Sequence, residues 1–287
     1  MNYEQFRIPT SGKIKIADYD PAVTDGFKDK EEAASKLAAD IERMAELQDV
    51  LYASRQCALL ILFQGMDTAG KDSIIKHVMS GVNPQGVRVT SFKQPTEEEL
   101  CHDYLWRSHK ALPERGFIGI FNRSYYEEVL ITRVHRELLE REGISEATKA
   151  LWKTRYEEIN NFERHLERNC VVILKFALNL SKAEQKKRLL SRIEDAEKNW
   201  KFALSDLTER KHWDEYMNAY EAMFNHTSTE WAPWYFVPAD HKWYTRVVVA
   251  DVIVSALKSL DLKYPAVTPE QKKLLVEGKK LLEEDKD

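Results

Sequence analysis

Between Lys30 and Arg55 the apolar residues Leu37, Ile41, Met44, Leu47 and Leu51 return every three or four positions, which predicts one long helix with a single buried face. The pattern then changes abruptly. Cys57 to Gln64 (CALLILFQ) is an almost unbroken apolar run of the kind that forms a strand covered on both faces of a parallel sheet. Similar short runs predict strands at Val87–Phe92, Phe117–Phe121, Val171–Phe176 and Trp234–Val237. Helical spacing separates them over Thr96–Lys110, Ser124–Arg136, Ala147–Arg168 and Trp213–Thr227, with Trp152, Ile159, Phe162 and Leu166 as the inner face of the third. Strands alternating with helices predict right-handed crossovers, and hence an α/β fold with a parallel five-stranded sheet flanked by helices.

Residues 1–29 mix glycine, proline and charge and read as an arm lying across a domain that runs from 30 to 264. The segment 181–220 interrupts the alternation as a helical, charge-dense insertion, a candidate lid. Residues 265–287 form a charged tail in which Leu274, Leu275, Leu281 and Leu282 are expected to contact the body as a short surface helix. No internal repeat and no linker to a second domain is expected.

Among 287 residues, 43 are Lys or Arg and 47 Asp or Glu, for a net charge of −4, and 43% are apolar. That balance fits a folded chain and gives no basis for long disorder. The start of the chain lacks the basic flank and apolar core of a signal peptide, and apolar runs such as Ala58–Phe63 and Val247–Ala250 fall far short of the ~20 residues that span a bilayer. A cytoplasmic protein with no membrane partner is therefore expected. Cys57, Cys101 and Cys170 lack metal-ligand spacing and are read as reduced, buried structural thiols. The cations are dispersed, which argues against a nucleic-acid partner.

The strongest chemical signal is Gly65-Met66-Asp67-Thr68-Ala69-Gly70-Lys71-Asp72, which fits G-x-x-x-x-G-K between a strand and a helix, the pattern of a Walker A phosphate loop. There Gly65 and Gly70 let the backbone N–H groups of Thr68, Ala69 and their neighbours curl around phosphate. The helix start adds positive potential, and Lys71 reaches the terminal phosphates. Asp72 stands where such loops usually carry a magnesium-binding hydroxyl, and Asp67 is a second unexpected carboxylate. A carboxylate inside a phosphate site calls for a divalent cation between the two, so Asp67 is read as a Mg²⁺ ligand, with Asp72 as a first-turn helix residue. A second cluster, Asn122-Arg123-Ser124-Tyr125-Tyr126-Glu127-Glu128, again follows a strand, and parallel strands open onto a common crevice where Arg123 would face phosphate. In the insertion, Lys182 to Lys201 holds seven positive and four negative side chains, with Arg188 and Arg192 on one helical face. They could close over a phosphate chain, and Lys201 extends the same basic run.

Taken together, GMDTAGKD, FNRSYYEEVL, SKAEQKKRLLSR and KNWKFALSD resemble the family-2 polyphosphate kinases, and the likeness runs from about Asp29 to Leu260. The resemblance implies a P-loop kinase-like, thymidylate-kinase-like core with a helical lid. It implies transfer of the terminal phosphoryl group of inorganic polyphosphate to a nucleotide, with Mg²⁺ or, in its place, Mn²⁺. It assigns catalytic roles to Asp67, Lys71, Arg123 and Arg188, and substrate contacts to Gly65, Thr68, Ala69, Gly70, Asp72, Asn122, Arg192 and Lys201. Many relatives carry Asp where this chain has Asn122, which makes Glu127 the second candidate metal ligand. The NRSYYE form points to AMP and ADP as acceptors, with guanine nucleotides as further candidates, and relatives suggest a homo-oligomer. Two other readings stay open on the residues alone: an ATP-dependent nucleotide or small-molecule kinase, and a polyanion-binding module without catalysis.

Overall fold

The computed structural model describes residues 3–144 and 148–285, so Met1, Asn2, Ala147 at the start of one expected helix, and residues 286–287 of the tail lie outside the described residues. Five strands, β1 (Ala58–Gly65), β2 (Val87–Ser91), β3 (Ile118–Asn122), β4 (Val171–Asn179) and β5 (Trp234–Pro238), pair in parallel in the order β2-β3-β1-β4-β5. β1 is central, paired from Leu59↔Ile118 to Phe63↔Asn122 on one side and from Ala58↔Val171 to Gly65↔Leu178 on the other. The helices in chain order are α1 (Lys30–Ser54), α2 (Lys71–Val78), α3 (Glu97–Leu100), α4 (Trp106–Lys110), α5 (Glu127–Val134), α6 (Lys149–Arg168), α7 (Lys182–Glu194), α8 (Leu204–Lys211), α9 (Trp213–Thr227), α10 (Lys242–Ser259) and α11 (Pro269–Glu284).

The period of two along β1 divides the core between the two faces. Leu59, Ile61 and Phe63 join Ile118, Ile120 and Phe176 beneath α2 and α10. Leu60 and Leu62 join Phe121, Ile173 and Trp234 beneath α5, α6 and α9. All eight residues of β1 are buried, as an unbroken apolar run requires. The second face also holds an ion pair with both side chains 0% exposed, Lys175 Nζ to Glu163 Oε2 at 2.7 Å. Its remaining valences are met: Tyr125 and Tyr126 donate to Glu163 Oε1 at 2.8 Å each, and Lys175 donates to Tyr126 Oη and the Thr227 carbonyl at 2.7 Å each. The N-terminal arm is anchored where Ile8, 1% exposed, donates its N–H to the Trp234 carbonyl at 2.8 Å.

Several expectations need correction. Thr96–Lys110 is two short helices, because Thr96 and Glu99 form a capping box on α3 and Asp103 turns the chain before α4. The helix expected from Ser124 begins at Glu127, after a turn. α10 had no periodic signal because Val247, Val248, Val249 and Ala250 are all buried, on every side of the helix. The cysteines are not buried: Cys57 is half-buried and Cys101 and Cys170 are exposed, since Cys57 and Cys170 precede their strands rather than lying within them. The tail leucines do not settle on the body, for Leu274, Leu275, Leu281 and Leu282 are 62–76% exposed.

Candidate active site

β1 ends at Gly65, whose φ of 155° disfavours a side chain and where an added Cβ would press tightly on Leu178 Cβ, at 3.0 Å, and Ala69 Cβ, at 3.2 Å. The loop then turns through Thr68 (φ 67°) and Gly70 (φ 106°), and Gly70 caps α2 without a side chain. The N–H groups of the first turn of α2 therefore have no capping side chain and are open to an anion. Lys71 is buried and folds back on the loop, donating to the Gly65 carbonyl at 2.6 Å. Burial, reinforced by the Arg123 charge, lowers its pKa to about 8.

β3 brings the second cluster alongside. The Phe63↔Asn122 register places Asn122 level with the end of β1, and the Arg123 N–H donates to the Phe63 carbonyl at 3.0 Å. Arg123 adopts a left-handed φ of 64°, which turns its guanidinium back towards the loop. It donates to Asp67 Oδ1 at 2.8 Å and Glu127 Oε2 at 3.2 Å, and these carboxylates, Glu127 foremost, hold its pKa well above the ordinary arginine value. Asn122 donates to Asp72 Oδ1 at 2.5 Å, so these two residues join the two motifs to each other.

The helix α7 lies over the same loop. Arg188, 7% exposed, donates to the carbonyls of Thr68 (3.0 Å), Ala69 (3.1 Å), Ala239 (2.6 Å) and Asp240 (3.1 Å), and through Nε to Glu184 (3.0 Å). A guanidinium has five N–H donors, and all five are engaged. As placed, Arg188 clamps α7 to the loop while also lining the cavity beside it. Arg192 serves α7 similarly, donating to Asp206 at 2.9 Å and the Lys201 carbonyl at 3.2 Å. Thr68 Oγ1 is buried without a hydrogen-bond partner.

These elements enclose a cavity of about 510 Å³. Lys71, Arg123, Arg188, Arg192 and Lys201 line it, joined by Lys93, Lys198 and Lys242, so eight cationic side chains face only the two carboxylates of Asp67 and Asp72. A second cavity of about 530 Å³ shares Phe92, Lys93 and Arg123 with the first and continues over Glu127, Ile131, His135 and Leu138. The sequence reading did not single out Lys93 or Lys242, because each follows the end of a strand as a lone charge without a motif. Asp206 and Tyr220 were also missed. Burial raises the pKa of both, and Asp67 raises Asp206, and Glu127 Tyr220, further.

Among the described residues no three His, Cys, Asp or Glu side chains gather as a metal cage, and no helix is long and apolar enough to cross a membrane. Asp67 and Glu127 instead converge on one guanidinium. A pair of carboxylates matches Mg²⁺, which commonly takes one or two carboxylates together with substrate phosphate and water.

The family model for Polyphosphate kinase 2 matches residues 27–265. An ADP-polyphosphate phosphotransferase of Rhodopseudomonas palustris is 48% identical over 97% of this chain and 98% of its own length. An AMP/ADP-polyphosphate phosphotransferase of Meiothermus ruber is 42% identical over 96% of this chain and 100% of its own. The crystal structure of polyphosphate kinase 2 from Arthrobacter aurescens superposes with a TM-score of 0.86 at 43% identity, covering 96% of both chains.

Proposed function

The chain belongs to the polyphosphate kinase 2 family, and on that footing we propose that it transfers the terminal phosphoryl group of inorganic polyphosphate to AMP and ADP, reversibly. The observation that carries this reading is the cavity with eight cations and two carboxylates, which shares Arg123 as a wall with a second chamber of mixed polarity. A polyanionic chain fits the first chamber and a nucleoside the second, with the acceptor phosphate meeting the donor beside Arg123.

Phosphoryl transfer asks the protein for position and charge more than for covalent chemistry. The start of α2 and Lys71 bind and orient the end of the polyphosphate. The acceptor phosphate oxygen attacks the terminal phosphorus in line, its P–O bond forms as the bridging P–O bond to the chain breaks, and a polyphosphate one unit shorter leaves. Arg123 faces the charge shared between donor and acceptor. Arg188 is a positioning residue that keeps the lid seated on the loop. Arg192, with Lys201, holds the wall of the polyphosphate chamber. Asp67 and Glu127 would hold Mg²⁺, or Mn²⁺ in its place, and when bound the ion neutralises phosphate charge and polarises the transferring group. Residues 30–264 form the catalytic unit in this reading, with 181–220 as its lid. Guanine nucleotides are secondary acceptors, and the enzyme regenerates ATP in the cytoplasm as a homo-oligomer.

The test is to incubate the protein and Mg²⁺ with AMP, ADP or GDP, offering either polyphosphate or ATP as donor, and to separate the nucleotides by chromatography. Polyphosphate-dependent formation of ADP and ATP is expected. Turnover with ATP alone as donor would instead establish an ATP-dependent kinase.

A further inference from the structure

Among the described residues, α11 buries no side chain against the rest of its own chain. Leu274, Leu275, Leu281 and Leu282 are each 62–76% exposed, a larger cluster of open aliphatic groups than a solvated surface helix ordinarily carries. Yet the helix is well specified. Thr268 and Gln271 form a capping box with Pro269 in the first turn, and Lys279–Glu283 and Lys280–Glu284 pair along it at 3.6 and 3.7 Å. Its sequence repeats a seven-residue unit, Glu-x-Lys-Lys-Leu-Leu-x, at 270–276 and again at 277–283, a short repeat that corrects the expectation of none.

A strict period of seven keeps one face of a helix against a partner helix. Here Leu274, Leu275, Leu281 and Leu282 form that face with Gly278 between them, a position where an added Cβ would meet nothing within 4 Å. Glycine inside an exposed helix costs ~1 kcal/mol relative to alanine. On a pairing face it allows two backbones to approach closely. At 100° per residue, Glu270, Glu277 and Glu284 border one side of the leucine face, and Lys272 and Lys279 border the other.

We propose that α11 pairs in parallel with α11 of a second copy of this chain. The charges choose both the partner and the direction. A two-fold axis along a parallel pair brings the glutamate border of each helix onto the lysine border of the other, so Glu277 falls between Lys272 and Lys279 of the second copy. An antiparallel pair would set lysines against lysines and glutamates against glutamates, which is repulsive. The contact area of two 16-residue helices is small beside the ~1,600 Å² of a standard interface, so the pairing is of low affinity and strengthens where the catalytic units also touch.

The test is the mass of the full-length protein by size-exclusion chromatography with light scattering, from about 1 to 100 μM at low salt. Leu274→Glu with Leu281→Glu should halve the mass reached at the upper concentration, while phosphotransfer per chain is unchanged. Lys272→Glu with Lys279→Glu should shift the association midpoint at least tenfold upward. Adding Glu270→Lys, Glu277→Lys and Glu284→Lys to that variant exchanges the two borders and should restore the original midpoint. An unchanged mass in the leucine variant overturns the proposal. Failure of the exchanged variant to recover overturns the parallel two-fold arrangement and assigns the leucine face to a different occupant.

Discussion

Lys71 should make polyphosphate binding weaken as the pH rises through 8. In the free protein the ammonium is buried against the carbonyls of Gly65 and Met66, and burial together with Arg123 lowers its pKa to about 8. Bound polyphosphate places negative charge beside it and raises that value, so binding takes up a proton wherever the free amine is neutral. With a free pKa near 8, about nine-tenths of the side chain is charged at pH 7 and about one-tenth at pH 9. The apparent dissociation constant should therefore increase about tenfold between those two pH values, which is ~1.4 kcal/mol. The sign is informative because polyphosphate end groups gain negative charge over the lower part of this range, which by itself would tighten binding. Isothermal titration of long-chain polyphosphate at pH 7, 8 and 9, in two buffers of different ionisation enthalpy, reads both the affinity and the proton uptake. Lys71→Arg, which stays charged throughout, should flatten the profile even if its absolute affinity is poorer. A wild-type dissociation constant constant within twofold across the range, or the same slope in Lys71→Arg, would refute the assignment of Lys71 as the titrating phosphate ligand.

Other changes probe the remaining parts of the site and core. Asp67→Asn removes the carboxylate that faces Arg123 at 2.8 Å and should lower turnover at least ~100-fold with an unchanged circular dichroism spectrum; near-normal turnover at saturating Mg²⁺ would exclude it as a metal ligand. Arg188→Lys reduces five donors to three, leaving carbonyls among Thr68, Ala69, Ala239 and Asp240 unmet at ~1–3 kcal/mol each. Both urea stability and kcat should drop while KM for the nucleotide moves little, and a stability equal to wild type would show that the clamp is not needed. Lys175→Met strands the Glu163 carboxylate in the core, where breaking a buried pair costs about 3–5 kcal/mol, and Lys175→Met with Glu163→Gln should recover much of that loss in the same urea titration.

What the sequence disclosed and what it hid divide along physical lines. The strands of the core were legible because a parallel strand must be apolar on both sides, and β1 and β4 obey that rule over most of their length. The phosphate loop was legible because its backbone conformation admits few residues: at Gly65 a Cβ would press tightly on Leu178 Cβ, and no substitution disguises the requirement. Arg188 was recognisable as a residue of the charged insertion, but its bonds to four backbone carbonyls were not, since a guanidinium aimed at phosphate and one aimed at carbonyls look identical in a one-dimensional string. Only the close approach of α7 to the loop, with Gln185 donating to the Asp67 carbonyl at 3.1 Å beside the Arg188 contacts, separates the two. This has a mechanistic consequence. The loop carbonyls of Asp67, Thr68 and Ala69 are all taken by α7, so any movement of α7 away from the loop must break these bonds. Arg192, Lys198 and Lys201, from α7 and the segment after it, line the same chamber as the loop.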